Sequence, residues 1–385
     1  METTLIAPVG TSLFGNYIDG ASGTGSVTQN YGRIENEPGD RWAKQESRIE
    51  EIQQDRDFRI WIEATEDASA EIESARKIAS QAGGPITVRL LASDTIESRL
   101  AAELIRDCSG SGDIEFKFNA ENDQISELQV FDNDRFKDGI RNLVRRVRSI
   151  LENKGELVGR ESGGTCAINI TGGYKATLPY LTVLGELYDV PLHYKFEDAD
   201  GQLSIPQLPI TLDEEIFQKY ETEFAALSDG VEDWSAFREE HGTFARRARE
   251  LVEVAGNVAL LSPLGELFWG YYTDQYVFFY APDETHERIQ GQPNVRRILQ
   301  TKMKQLRGGS QIGPKGDHLA FDDGNNSNRI FLFEDEGRLY VYQTFDEEGG
   351  YDDYDTYWRE TSFTKRDRKL VKEQSSRRRL RRGDR

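Results

Sequence analysis

Residues 165–194, TCAINITGGYKATLPYLTVLGELYDVPLHY, constrain the fold of this chain more than any other stretch. Ala167 to Ile170 form a short β-prone run bounded by glycines. The turn Thr171-Gly172-Gly173 follows, and then Leu178, Leu181, Leu184 and Leu187 recur at helical spacing. A strand that passes through such a turn into a helix exposes backbone N–H groups at the carboxyl end of a sheet, where α/β sheets bind phosphates. Lys175 falls in the first helical turn, where the macrodipole disfavours a cation and a bound anion would offset the cost. An ordinary strand-to-helix turn with a solvated lysine reads the same way.

The same kind of join occurs twice more. Thr4 to Ala7 reads as the first strand, and Val9 to Asn16 as its loop, with Gly10, Thr11 and Ser12 at the turn. Ile86 to Leu91 reads as a strand, and Ser93-Asp94-Thr95 opens a helix running to about Arg106, with Ser93 or Asp94 as its N-cap. Between these lie a loop and polar helix over residues 20–55 and an alternating strand from Phe58 to Ala64. An amphipathic helix follows from Asp67 to Gln81. Ile125 to Phe131 reads as a further strand, and Arg135 to Leu151 as a helix with Ile140, Leu143, Val144 and Val147 on one face. Strands alternating with helices imply a parallel, doubly wound sheet. Neither GxxxxGK[ST] nor GxGxxG follows a strand, which argues against a nucleotide triphosphatase or a dehydrogenase.

As a set, three motifs resemble the signatures of the CARF domain, the CRISPR-associated Rossmann-like sensor. They are ITGGYKA at residues 170–176, LIAPVGTSL at residues 5–13 followed by Asn16, and LLASDT at residues 90–95. The resemblance covers roughly the first half of the chain. It implies a homodimer that binds cyclic oligoadenylate across its two-fold axis, most commonly cyclic tetra-adenylate, because each subunit presents the same loops to half of an even-numbered ring. Gly10, Thr11, Ser12, Asn16, Ser93, Asp94, Thr95, Thr171, Gly172, Gly173 and Lys175 would line the site. The ring would act as an allosteric activator, with no separate cofactor. Some members of the family also cut their activator. For that reaction Lys175 would stabilise the charge and Ser12 would position the phosphate, and the same residues serve binding alone equally well.

Charge is unevenly placed. The chain of 385 residues carries −20 overall, yet residues 365–385 hold eleven basic and three acidic side chains, leaving −28 on the rest. An acidic body with a basic tail fits a solvated surface with a disordered end, or a body that avoids nucleic acid and a tail that touches phosphates. No apolar run approaches the roughly 18 residues of a membrane span. METTLIAPVG has no basic region before an apolar stretch and so does not read as a secretory signal. Two cysteines, Cys108 and Cys166, suit a reducing cytoplasm, and four scattered histidines do not suggest metal catalysis.

The pattern changes after the sensor-like half, which spans residues 1–210 and ends in hairpin-like pieces with an Asp-Gly turn. Residues 211–265 read as a helical connector, with helices from Asp213 to Leu227 and from Trp234 to Ala255. Residues 266–364 then read as a strand from Tyr276 to Tyr280, helices from Pro282 to Leu306, and strands from Gly316 to Phe321, Arg329 to Glu334 and Arg338 to Phe345. Residues 365–385 read as a basic helix or tail. The nuclease motifs common behind CARF domains do not fit: Arg238 to His241 is too short for the HEPN spacing, and there is no convincing Glu-x-Lys copy. Strand, helical hairpin, three-stranded meander and C-terminal element instead resemble the RelE-type mRNA interferases. Leu306-Arg307-Gly308, Asn328-Arg329-Ile330 and Arg338-Leu339-Tyr340-Val341-Tyr342 are the local matches. The fold class expected is therefore an α/β Rossmann-like CARF domain, a helical connector and an α+β RelE-like domain.

The RelE resemblance implies metal-independent cleavage of mRNA on the ribosome, in which basic residues hold the scissile phosphate while a 2′-OH attacks. Arg329 would hold the phosphate, His318 would act as base with Lys315 and Lys304 as nearby candidates, and Tyr354 or Tyr357 would stack on a base. The family's basic residue after the last strand is missing, replaced by EEGGYDDYDTYW. Ribosome and mRNA are the implied partners. The basic tail would dock on ribosomal RNA, and the sensor or connector on a ribosomal protein surface such as the factor-recruiting stalk. The alternative is a CARF-gated transcription regulator, which needs a winged helix with a basic recognition helix. The meander and the acidic body argue against it.

Overall fold

The computed structural model describes residues 3–20, 25–110, 112–129, 131–157, 165–195, 202–208, 211–307, 312–322, 328–346 and 350–382. The chain divides into two compact units, Met1–Tyr271 and Tyr272–Arg385.

The first unit is built on β1 (Thr3–Val9), β2 (Ile86–Ala92), β3 (Ile114–Lys117), β4 (Thr165–Asn169), β5 (Leu192–Lys195) and β6 (Gln202–Ile205), in the order β3-β2-β1-β4-β5-β6. All neighbours are parallel except the β5–β6 pair, which is antiparallel. Alternation along the central strands feeds two cores. Leu5, Ala7, Val9, Val88 and Leu90 pack on one face, and Ile6, Leu91, Ile168 and Ile170 on the other. Because β2 flanks β1 on one side and β4 on the other, the chain reverses direction across the sheet at β1–β4. That is the switch point where open α/β sheets bind ligands.

Several expected elements are corrected. Arg56–Ala64 is a helix, not a strand: the Asp55 carboxylate caps Phe58 N–H at 3.0 Å, and Phe58 and Ile62, four residues apart, are buried while Ile60 is exposed. Residues 125–129 form turns rather than a strand, with a bridge at Gln124 to Ala92 and Glu127 at φ 65°. The helix Ile96–Cys108 is capped by Thr95, whose Oγ1 accepts from Ser98 N, and not by Ser93 or Asp94. The Asp-Gly turn between β5 and β6 lies outside the described residues.

Residues 211–271 belong to the first unit. Short helices Glu215–Lys219, Glu221–Asp229, Trp234–Glu240 and Gly242–Arg247 lead into an antiparallel hairpin of β7 (Val252–Ala255) and β8 (Val258–Leu261). The expected helix from Trp234 to Ala255 therefore ends early, and Gly256 at φ 64° makes the turn. The hairpin is fastened to the long helix Asn133–Leu157: Arg141 Nε donates to Leu261 O at 2.8 Å, and Arg141 and Lys137 both pair with Glu253. Arg145 grips Glu266 through two hydrogen bonds of 2.9 and 2.8 Å.

The second unit holds a sheet of β9 (Tyr276–Pro282), β10 (Ile312–Lys315), β11 (His318–Asp322), β12 (Arg329–Asp335), β13 (Arg338–Phe345) and β14 (Ser375–Arg381), ordered β10-β11-β12-β13-β9-β14. β10 to β13 form an antiparallel meander, and β9 runs parallel to β13. The helices Asp283–Gly291 and Pro293–Arg307 bury Ile289, Val295, Ile298, Leu299 and Leu306 against one face. Residues of the helix Gly350–Glu360 cover the other, with Tyr354 on Phe331 and Ala320. The basic segment is not a free tail: Lys365–Gln374 is a helix, and β14 pairs with β9 from end to end. Arg377 lies over the Phe278 ring at 4.2 Å, and Arg378 Nε donates to Ala281 O, so the arginines serve a charged edge strand.

Candidate functional site

Two loops leave the adjacent strands β1 and β4 and touch through glycine. A Cβ on Gly10 would lie 3.2 Å from Gly173 N, and one on Gly173, at φ +80°, would lie 2.7 Å from Pro8 Cβ. One on Gly172 would lie 2.1 Å from Glu71 Oε1 and 2.7 Å from Pro8 O. Only glycine allows this approach. The loop after β2 joins the same lip. Tyr174 is half-buried beside Ser93 and Thr95, and burial raises its phenol above the ordinary value. Ser98 Oγ donates to Val9 O at 2.9 Å and accepts from Ser93 N at 3.0 Å. The three turns are therefore packed against one another at the switch point.

The expected ligand residues divide into those that face this lip and those that hold it. Ser12 Oγ accepts from Ala70 N at 3.1 Å. Asn16 donates to Asp67 O and Ala68 O, pinning the first loop to the chain ahead of the helix Ala70–Ala82. Asp94 accepts from Glu127 N and Gln129 Nε2, both at 3.0 Å, so it fastens residues 124–129. Ser93 and Thr95 are buried, 3.2 Å apart through their hydroxyls. Thr171 donates to Asn169 Oδ1 at 2.7 Å and accepts from Lys195 N at 3.1 Å. Lys175 is exposed and stands in the 3-10 turn Lys175–Thr177, before the helix Leu178–Leu187 rather than inside it.

Sequence reasoning missed the element that ties the loop after β1 to the ends of β4 and β5. The start of the helix Ala70–Ala82 makes four bonds: Ala70 N to Ser12 and Glu71 Oε1 from Gly10 N at 2.8 Å in the loop after β1, Ser74 Oγ from Asn169 Nδ2 at 2.6 Å at the end of β4, and Glu73 from Lys195 at the end of β5. Burial pushes the Glu73 carboxyl up, but hydrogen bonds from Lys195 and Lys77 outweigh it and hold it below the ordinary value. Glu97, also at the lip, is pushed up by burial. The only local signal was a pair of acidic residues in a helix's first turn.

In the second unit His318 and Arg329 are both buried and stand at opposite ends of the β11 register: His318 pairs with Lys315, and Arg329 with Asp322. His318 is 1% exposed. Its Nδ1 pairs with Tyr342 Oη at 3.1 Å, its Nε2 with Thr361 O at 3.2 Å, and its ring stacks on Phe363. The expectation of an accessible base there is corrected: both ring nitrogens are bonded inside an aromatic cluster. Arg329 is 2% exposed, donates to Asn328 O at 2.8 Å and lies 5.0 Å from the Tyr354 ring centroid. Tyr357 is half-buried against His318 and Phe331, and burial raises its phenol. Lys315 pairs in register with His318 across β10–β11. Lys304 lies in the helix Pro293–Arg307, its side chain outside what is described. Gly308, part of the expected local match, is likewise outside.

Among the described residues no helix is long and apolar enough to cross a membrane, and no group of three or more His, Cys, Asp or Glu is placed to hold a metal ion. No curated protein matches the chain. Among solved structures, it is similar to Can2 from Sulfobacillus thermosulfidooxidans in complex with cyclic tetra-adenylate, at 14% identity over 71% of this chain and 77% of that one, with a TM-score of 0.22. Residues 66–208 match the family model described as CRISPR-associated protein (Cas_APE2256), a segment that includes the turns after β2 and β4 and the helix carrying Glu71.

Proposed function

We propose that the first unit senses cyclic oligoadenylate and that the second is a metal-independent, ribosome-dependent mRNA endonuclease of type III CRISPR defence. The observation that carries the sensor is the glycine contact between the turns after β1 and β4, tied to the turn after β2 by Ser98, which bonds both Val9 O and Ser93 N. Three turns at a switch point supply backbone donors, hydroxyls and the exposed Lys175 to a phosphodiester ring. The match of residues 66–208 to a CRISPR-associated family supports the setting. Cyclic tetra-adenylate, bound across the two-fold axis of a homodimer, is the ligand this reading favours.

For the effector, support comes from the succession of strand, helical hairpin and meander, and from Arg329 opening β12, an inner strand of that meander. In the conformation described, Arg329 lies under Tyr354, so cutting requires the helix Gly350–Glu360 to lift and let a phosphate reach the guanidinium. With His318 engaged in the core, Lys315 is the better candidate for proton transfer. The test is cleavage of mRNA in a translating extract, with and without cyclic tetra-adenylate and in excess chelator. The reading expects cutting only with the ring, and loss of cutting with retained ring binding in Arg329→Ala. An Arg329→Ala protein that cuts as well as wild type overturns the nuclease assignment.

A further inference from the structure

Glu71 is the second residue of the helix Ala70–Ala82 and is 1% exposed. Its Oε1 accepts from Gly10 N at 2.8 Å and lies where a Cβ on Gly172 would fall, so the carboxylate is wedged between the two glycine turns. Its Oε2 is buried, with no hydrogen-bond partner among the described residues. The other carboxylates nearby are better served. Glu73 is paired with Lys195 and Lys77, and Glu97 accepts from Asn36 N and Tyr31 Oη.

A buried carboxylate with one oxygen unsatisfied is costly, and the helix N-terminus offsets that cost only in part. A clamp on Gly10 needs an acceptor but not a charge, and glutamine would supply one. The charge is therefore the feature that demands a reason. It stands on a backbone N–H in a glycine turn at the switch point, the kind of donor a phosphate takes.

We propose that Glu71 is a built-in competitor for anions: its carboxylate, held on the Gly10 N–H, sets a negative charge beside the turn where a ligand phosphate would come, and so sets the affinity and selectivity of the site. This rests on the sensor reading above. A single phosphate gains too little elsewhere to offset the repulsion. A ring that engages the lip at several phosphates at once recovers the loss through its other contacts. The device works by repulsion, rejecting abundant mononucleotides more than it weakens the ring.

The test uses the full chain in titration calorimetry with two probes, cyclic tetra-adenylate and AMP, on wild type, Glu71→Gln and Glu73→Gln. Glu71→Gln keeps an acceptor for Gly10 N–H and removes the charge. It is expected to bind the ring at least about tenfold tighter, to gain measurable AMP binding, and to melt no lower than wild type. Glu73→Gln, whose charge is already paired, is expected not to tighten binding. A Glu71→Gln protein that binds the ring no tighter, or melts well below wild type, overturns the proposal and leaves the carboxylate a structural clamp. Equal tightening by Glu73→Gln overturns it too, as an effect of net charge. Failure of wild type and Glu71→Gln alike to bind the ring is a different result: it removes the sensor reading, and this proposal with it.

Discussion

Replacing Gly172 with alanine tests the switch-point geometry most sharply. The added Cβ would stand 2.1 Å from Glu71 Oε1 and 2.7 Å from Pro8 O. The glutamate side chain can swing, but only by giving up its bond to Gly10 N. Pro8 O is main chain inside the central strand β1, and β1 pairs with β2 along its whole length. The turn itself must therefore shift. Overpacking of this kind costs about 1–3 kcal/mol. For a folding unit of a few hundred residues that corresponds to a fall in melting temperature of roughly 2–10 °C. Differential scanning calorimetry of the full chain reads the fall in the transition of the first unit, and titration with cyclic tetra-adenylate reads the accompanying loss of affinity. The double variant Glu71→Ala with Gly172→Ala removes the closer clash and leaves the one with Pro8, so it should recover part of the melting temperature and not all of it. A Gly172→Ala protein with wild-type melting and wild-type ring affinity would refute the reasoning, because it would mean that the turn after β4 does not pack on Glu71 and the end of β1.

Lys175→Ala should weaken ring binding by the roughly 1.5–3 kcal/mol of a charge-assisted hydrogen bond while leaving the melting temperature unchanged, since the side chain is exposed; unchanged affinity by calorimetry would remove it from the site. His318→Ala should destabilise the second unit by about 2–4 kcal/mol, because it leaves Tyr342 Oη and Thr361 O without their ring partner and opens the aromatic cluster; a variant that loses mRNA cutting with unfolding unchanged would restore His318 as a catalytic base. His193 is held below the ordinary histidine value by burial. Its proton is therefore bound more readily in the unfolded chain, and the first unit should lose stability as pH falls below about 6.5. Chemical denaturation across that range checks the slope, and His193→Gln should flatten it.

What was legible in the sequence was what lies close together along the chain. The turns after β1, β2 and β4 are each a strand end, a cluster of small or hydroxylated residues and a helix start, and local chemistry identifies them. Their roles were less legible. Thr95 rather than Ser93 or Asp94 caps its helix, and Asp94 turns away to hold residues 124–129, a choice made by tertiary partners. Glu71 could not be found this way, because its partner Gly10 is 61 residues distant and no motif joins them. Phe58 to Ala64 misled because Phe58, Ile60 and Ile62 alternate like a strand, while Phe58 and Ile62 are also spaced for one face of a helix. The arginine-rich end reads as a solvated tail from charge alone, yet Arg377 to Arg379 lie in β14, with Phe278 beneath Arg377. The chemistry of histidine points to a base at His318, and only the packing of Tyr342, Tyr357 and Phe363 around it shows that it is enclosed.

The central claim is that the glycine turns at the switch point hold half of a cyclic oligoadenylate ring. The most direct measurement is titration of cyclic tetra-adenylate into the full-length protein, with the mass of the complex determined by light scattering. The account predicts saturable binding of one ring to two chains, abolished or strongly weakened by Gly172→Ala. No binding, or one ring held by each single chain and indifferent to Gly172→Ala, would contradict it.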